Sequence, residues 1–230
     1  MKKLTLASAV TAALFTLNIN SVFADDNHRD MMVYHVTITN TTTNHVITPP
    51  IVIAHKKGFH LFHLGDKTKP ASDGLVELAE TGSPMALAHM LSYNDMVSKV
   101  EIGDFVKPGI PYTVEIIAPR NTMFSVAGML ASSNDAFTAA LNIKAPKRNR
   151  HNHGMGMTYD AGSEENNEDC AYVPGPPCDM DSGNARMPTE EMVTVHSGIY
   201  GIADLPAAAF DWRGPTSMVT IHNAGRYTGE

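Results

Sequence analysis

The stretch "MVYHVTITN", residues 32–40, sets Tyr34, Val36 and Ile38 on one side of an extended chain and His35, Thr37 and Thr39 on the other. A period of two is the signature of a strand with one face buried. Valine, isoleucine, threonine and tyrosine also suit a pleated, half-buried surface. Working outward, "PYTVEIIA" (111–118) repeats the alternation with Tyr112, Val114 and Ile116, and "MFSVAGML" (123–130) and "SMVTIH" (217–222) have strand character. Short β-rich runs separated by Pro, Gly, Asn and Asp predict an all-β, antiparallel sandwich. Pro49-Pro50 interrupts the second run, which places that pair at a sheet edge or bend.

Two short helices are expected within this pattern. "DGLVELAE" (73–80) carries Leu75, Leu78 and Ala79 at helical spacing. In "SPMALAHMLS" (83–92), Ser83 reads as the N-cap and Pro84 as the first helical residue, with Leu87, Met90 and Leu91 facing the core. Residues 145–192 run from Lys/Arg through His/Gly/Met and acids to Pro/Gly, and are expected to be long loops.

The chain begins "MKKLTLASAVTAALFTLNINSVFA". A basic start, an apolar stretch and Val22-Phe23-Ala24 read as a secretory signal peptide (1–24), too short and too polar for a membrane span. The expected mature chain, 25–230, is a single domain with its core over about 32–222. Removing the leader takes away two lysines and no acid, and so moves the formal charge from −7 to −9. An acidic surface disfavours nucleic acid and anionic lipid and suits cations. No later segment is apolar enough for a transmembrane helix. An exported product is expected, periplasmic, or secreted or at the cell surface.

The two cysteines, Cys170 and Cys178, bound "CAYVPGPPC". In an exported chain they are expected to form a structural disulfide closing a small loop, worth roughly 2–3 kcal/mol. A redox or metal pair is the other reading, but the spacing is not Cys-x-x-Cys and three prolines stiffen the loop.

"YDAGSEENNEDC" (159–170) packs five carboxylates and two side-chain amides into twelve positions. Residues 165–169 alone read as a solvated acidic loop. Asp160 and Glu164 differ, because Gly162 between them lets the chain turn so that both carboxylates point inward. Other chemistries find little support. There is no Gly-x-Ser-x-Gly, His-Glu-x-x-His, P-loop or Cys-x-x-Cys. Ser197 beside His196 on an extended chain points to the opposite face, so they do not make a nucleophile and its base. Eleven histidines include His55, His60 and His63 in "HKKGFHLFH" and His151 and His153 in "HNHGMGM". With the methionines they suit copper or zinc. However, "HNHGMGM" reads as a mobile loop, His60 and His63 share a face only on a helix, and His55 and His196 read as satisfied structural residues.

Taken together, "VTITN…PPIVIAHKKGFHLF" (36–62), "SSNDAF" (132–137), "YDAGSEEN" (159–166), "CAYVPGPPC", "VHSGIYGI" (195–202) and "DWRGP" (211–215) resemble, in order and separation, a bacterial spondin-domain protein. That family is related to the N-terminal domain of F-spondin, an extracellular-matrix protein. The resemblance implies a C2-like antiparallel β-sandwich with a calcium site in the loops at one end. By position, its acidic ligands fall on Asp135, Asp160 and Glu164. Glu164 stands where the animal proteins carry aspartate, and is one methylene longer. Asn134 or Asn166, backbone carbonyls or water would complete the shell of one Ca²⁺. The implied function is a non-catalytic module for envelope or extracellular binding or adhesion, with an unidentified protein or glycan as partner. The thrombospondin-type repeats of the animal proteins are absent, so their matrix-binding roles do not carry over. The alternative is an exported metalloenzyme, or a copper- or zinc-handling protein, using the His and Met residues.

Overall fold

A computed structural model describes residues 30–179, 189 and 191–229. The expected signal peptide (1–24) and the expected start of the mature chain at 25–29 lie outside the described residues. The chain folds as an antiparallel sheet with short helical inserts. In chain order the elements are β1 (Met31–Asn40), β2 (Ile51–His55), α1 (Asp73–Thr81), α2 (Met85–Ser92), β3 (Val97–Ile102), β4 (Tyr112–Pro119), β5 (Met123–Met129), β6 (Ala136–Lys144), β7 (His151–Asp160), β8 (Thr194–Val195), α3 (Ala207–Phe210) and β9 (Ser217–Arg226). Hydrogen bonding runs β3-β2-β5-β6-β7-β9-β1-β4, with β8 added beside β7. The two ends of that order, β3 and β4, come close together, so the sheet nearly closes on itself. No helix among the described residues is long and apolar enough to cross a membrane.

The alternation in β1 is realised as read. Met32, Tyr34, Val36 and Ile38 are buried, and the intervening side chains are half-exposed. β1 lies between β4, where Val36 faces Val114, and β9, where Val36 faces Ile221. Their inward side chains meet Val52, Ala54, Phe124 and Val126 of β2 and β5 in the main core. Tyr34 and Phe124 make an edge contact with ring centroids 4.9 Å apart. Tyr112 was expected to point inward with Val114 and Ile116, but at the start of β4 it is 36% exposed.

β2 departs from alternation because both its faces are covered. Val52 and Ala54 face the main core, whereas Ile51 and Ile53 pack beneath Leu75 and Leu78 of α1 and Leu87 and Leu91 of α2. A strand buried on two sides is apolar throughout, as "IVIA" is. Pro50 sits just before this strand, where its carbonyl accepts from Gly103 N–H at 2.8 Å. Ser72 caps α1 by accepting from Leu75 N–H, and Gly82, in the left-handed region at φ 74°, ends it. α2 begins one residue later than its sequence suggests. Pro84, not Ser83, occupies the cap position, without a side-chain hydrogen bond. Leu87 and Leu91, four residues apart on one face, are buried, whereas Met90 is exposed.

The expectation of long loops over 145–192 fails for its first part. "HNHGMGMTYD" is β7, and it links the two halves of the sheet. Its first half, from His151 to Gly156, pairs with β9; its second, from Met157 to Asp160, pairs with β6. The glycines that made it look mobile are packing requirements. A Cβ on Gly154 would collide with Ile143, and one on Gly156 with Ser217 and Thr138. Beyond β7, a third small apolar cluster of Val173, Ile199, Leu205 and Phe210 holds the following loops together.

Candidate metal centre

Three segments meet at the end of the sheet where β7 finishes. The first is the 131–135 turn joining β5 to β6. Ser133 Oγ donates to Leu130 O at 2.6 Å and accepts from Ala136 N–H at 3.2 Å, closing the turn locally. The second is the acidic loop leaving β7 at Asp160, which pairs with Ala136 on one side and Thr194 on the other. Gly162 lets that loop double back. Its φ is 71°, and an added Cβ would strike the Met192 carbonyl. The third is the return segment around His196.

Asp135, Asp160 and Glu164 are each at most 3% exposed. Asp135 Oδ2 accepts three hydrogen bonds from the acidic loop, from Ser163 N–H (2.8 Å), Ser163 Oγ (3.0 Å) and Glu164 N–H (3.1 Å). Its other oxygen, Oδ1, is buried and has no hydrogen-bond partner among the described residues. Burial, and then the nearby Asp160 charge, push the Asp135 carboxyl up to about 7 despite those three bonds. Asp160 Oδ1 accepts from Gly162 N–H at 2.6 Å, and Asp160 Oδ2 accepts from Asn166 Nδ2.

The structure therefore brings Asp160 beside Asp135, sets the Glu164 backbone against Asp135 and buries the Glu164 carboxylate. Among the described residues, no three His, Cys, Asp or Glu side chains are already gathered around one point. The two amides are engaged. Asn166 bridges Asp160 and His196, whose Nε2 lies 2.9 Å from Asn166 Oδ1. Asn134 Oδ1 accepts from Glu168 N–H at 3.3 Å, and its Nδ2 donates to Asn167 Oδ1 at 3.1 Å.

His196 and Glu168 complete the surroundings. Gly198 N–H lies 3.1 Å from His196 Nδ1, which makes that nitrogen the acceptor and Nε2–H the donor to Asn166. Burial, and then the charge of His45, lower the His196 pKa to about 4, so the ring is neutral at neutral pH. His196 is the satisfied histidine its context suggested, and so is His55, bonded to Lys56 O and Ser125 Oγ at 2.9 Å each. Ser197 is exposed while His196 is buried.

Glu168 overturns the reading of 165–169 as wholly solvated. It is 2% exposed, and its carboxylate accepts from the backbone N–H groups of Tyr200 (2.6 Å), Gly201 (2.7 Å) and Ile202 (2.9 Å). Nothing local in "ENNED" signals this, because its partners lie more than thirty residues onward. The Cys170–Cys178 disulfide is formed, with Cα atoms 5.2 Å apart. Pro174 O of its loop accepts from Ser132 N–H at 2.9 Å, so the bridged loop braces the turn that carries Asp135.

The donor chemistry fits a hard cation. The side chains nearest Asp135 offer oxygen, one of its own oxygens is buried and bare, and a second acid stands beside it. No protein-family model matches this chain, and no curated protein matches it.

Proposed function

We propose that this chain is an exported, non-catalytic binding module of the spondin type, a C2-like β-sandwich stabilised by one calcium ion between the 132–135 turn and the 160–168 loop. The observation that carries the reading is Asp135, a fully buried acid with one oxygen unbonded and Asp160 as its neighbour. A buried carboxylate is costly unless a charge or donors compensate it. Asp135, Asp160 and Glu164 would hold the ion, with Asn134 or Asn166, backbone carbonyls or water completing its shell. When bound, calcium supplies the positive charge that offsets the repulsion between the acids. The two facing sets of inward side chains, from β1, β4 and β9 and from β2, β5 and β6, support the sandwich. A buried His196 committed to Asn166, with an exposed Ser197, supports a binding module over a hydrolase. The partner is an envelope or extracellular protein or glycan.

Calorimetric titration tests the proposal. Calcium should bind in one equivalent, with a dissociation constant on the order of 10⁻⁴–10⁻³ M, as in other extracellular modules. Magnesium should bind more weakly, and Asp160→Asn should abolish the heat. A wild-type protein that shows no heat up to millimolar calcium would refute it.

A further inference from the structure

The outer face of the sheet carries a feature unrelated to the acidic site. The strand register sets Glu115 opposite His35 (β4 to β1), His35 opposite His222 (β1 to β9) and His222 opposite His151 (β9 to β7). Three histidines on three adjacent strands thus stand in one row, flanked by a carboxylate. The His35 and His222 ring centroids are 5.8 Å apart, and those of His151 and His222 are 4.5 Å apart with planes 18° from parallel. His35 Nε2 lies 3.3 Å from Glu115 Oε2. We propose that His35, His222 and His151 form a surface site for one borderline divalent transition-metal ion, of the zinc or copper class.

Geometry and chemistry both favour this. Directly opposed residues on neighbouring strands have Cβ atoms about 4.5–5.5 Å apart. Imidazoles on such positions can turn toward a common ion about 2.0–2.1 Å from each nitrogen. The His151 and His222 rings are stacked and the His35 ring is tilted 45° to His222, so binding requires side-chain rotation. Exposed side chains change rotamer on the picosecond-to-nanosecond scale, and the His35 side chain is 41% exposed. Glu115 plays the supporting part that carboxylates play for metal-bound histidines, fixing the His35 ring through one nitrogen and leaving the other for the ion. Imidazole donors select zinc and copper over calcium or magnesium, with copper the tighter of the two. The site is therefore chemically separate from the carboxylate centre.

A second histidine pair supplies the internal control. His60 and His63 also stack, with centroids 5.1 Å apart, but among the described residues no third histidine stands in a register-fixed row with them. The test is calorimetric titration of the exported protein with Zn²⁺ in millimolar calcium, which keeps the carboxylates occupied. One equivalent should bind. His222→Ala, the middle of the row, should weaken binding at least tenfold, His35→Ala and His151→Ala should each weaken it, and His63→Ala should leave it unchanged. Added Cu²⁺ should displace the zinc. All three positions are on the outer face, so thermal melting of each variant near the wild-type temperature would show that the fold is kept. Zinc affinity unchanged in His222→Ala, or weakened equally in His63→Ala, would overturn the proposal.

Discussion

Two buried acids in loops at the same end of the sheet are treated in opposite ways. Glu168 has its carboxylate filled by three backbone N–H donors from residues 200–202. Asp135 has one oxygen filled by three donors and the other buried without a partner among the described residues, with Asp160 nearby. Both are nearly inaccessible to water. The difference separates a carboxylate used as a staple from one that, on the proposed function, takes a cation. A charge supplied with donors on every side ties two loops together and asks for nothing more. A charge supplied with donors on one side only is destabilising until something else completes it.

That contrast is most easily broken at Glu168. Glu168→Ala removes three charge-assisted hydrogen bonds, and denaturant unfolding should show a loss of about 4 kcal/mol. The loss should be the same with calcium or with chelator, because the staple acts without the ion. A loss that appears only in calcium would erase the distinction between the two acids.

Acid should act next, through His196. Its folded pKa of about 4 lies below the ordinary 6.5, so above pH 6.5 the ring is neutral in both states and contributes no pH dependence. As pH falls below 6.5 the unfolded chain takes up a proton that the native ring refuses. The slope is up to about 1.4 kcal/mol per pH unit, levelling near pH 4 with a total of about 3 kcal/mol. Asp135, raised to about 7, has the opposite sign, because its native carboxyl takes up a proton before the unfolded one does. The histidine is therefore read as a difference: the stability of wild type relative to His196→Gln should fall by about 3 kcal/mol between pH 6.5 and pH 4. A difference that stays constant over that range would show that the native ring accepts the proton freely.

The disulfide comes third. Opening an eight-residue separation by Cys170→Ser with Cys178→Ser should cost about 2.5 kcal/mol in thermal or denaturant unfolding. Since its loop accepts from Ser132, the double variant should also weaken calcium binding. Unchanged calcium affinity would mean that the 131–135 turn holds its shape without that brace.

The parts of the fold that were legible in the sequence are those whose neighbours impose a simple period. β1 shows its core face because its outer face meets solvent, and Leu75, Leu78 and Ala79 mark the buried side of α1 for the same reason. β7 was not legible. Its outward positions carry His151, His153, Met155 and Met157, and some of its inward ones carry glycine, because Ile143, Ser217 and Thr138 crowd the place where it changes partners. Glycine and histidine then imitate a loop. Met90 misled because the short α2 buries only the narrow row of Leu87 and Leu91, four residues apart, and Met90, about 100° round from Leu91, falls off that row. At the site, Asp135, Asp160 and Glu164 were named through a family resemblance, and Gly162 through its need for a sharp turn. Glu168, and the link from His196 through Asn166 to Asp160, depend on partners about thirty residues away, which no local spacing encodes.

The most direct measurement melts two isosteric variants, Asp135→Asn and Glu168→Gln, in chelator and in calcium at about 100 times the wild-type dissociation constant. Wild type should gain about 2.7 kcal/mol from calcium, a rise of roughly 5–10 °C. Asp135→Asn, relieved of its repulsion with Asp160, should melt in chelator at or above the wild-type temperature and gain nothing from calcium. Glu168→Gln should melt lower in both conditions and keep the full calcium rise. An Asp135→Asn protein that still rises with calcium, or a wild type that does not, would contradict the account.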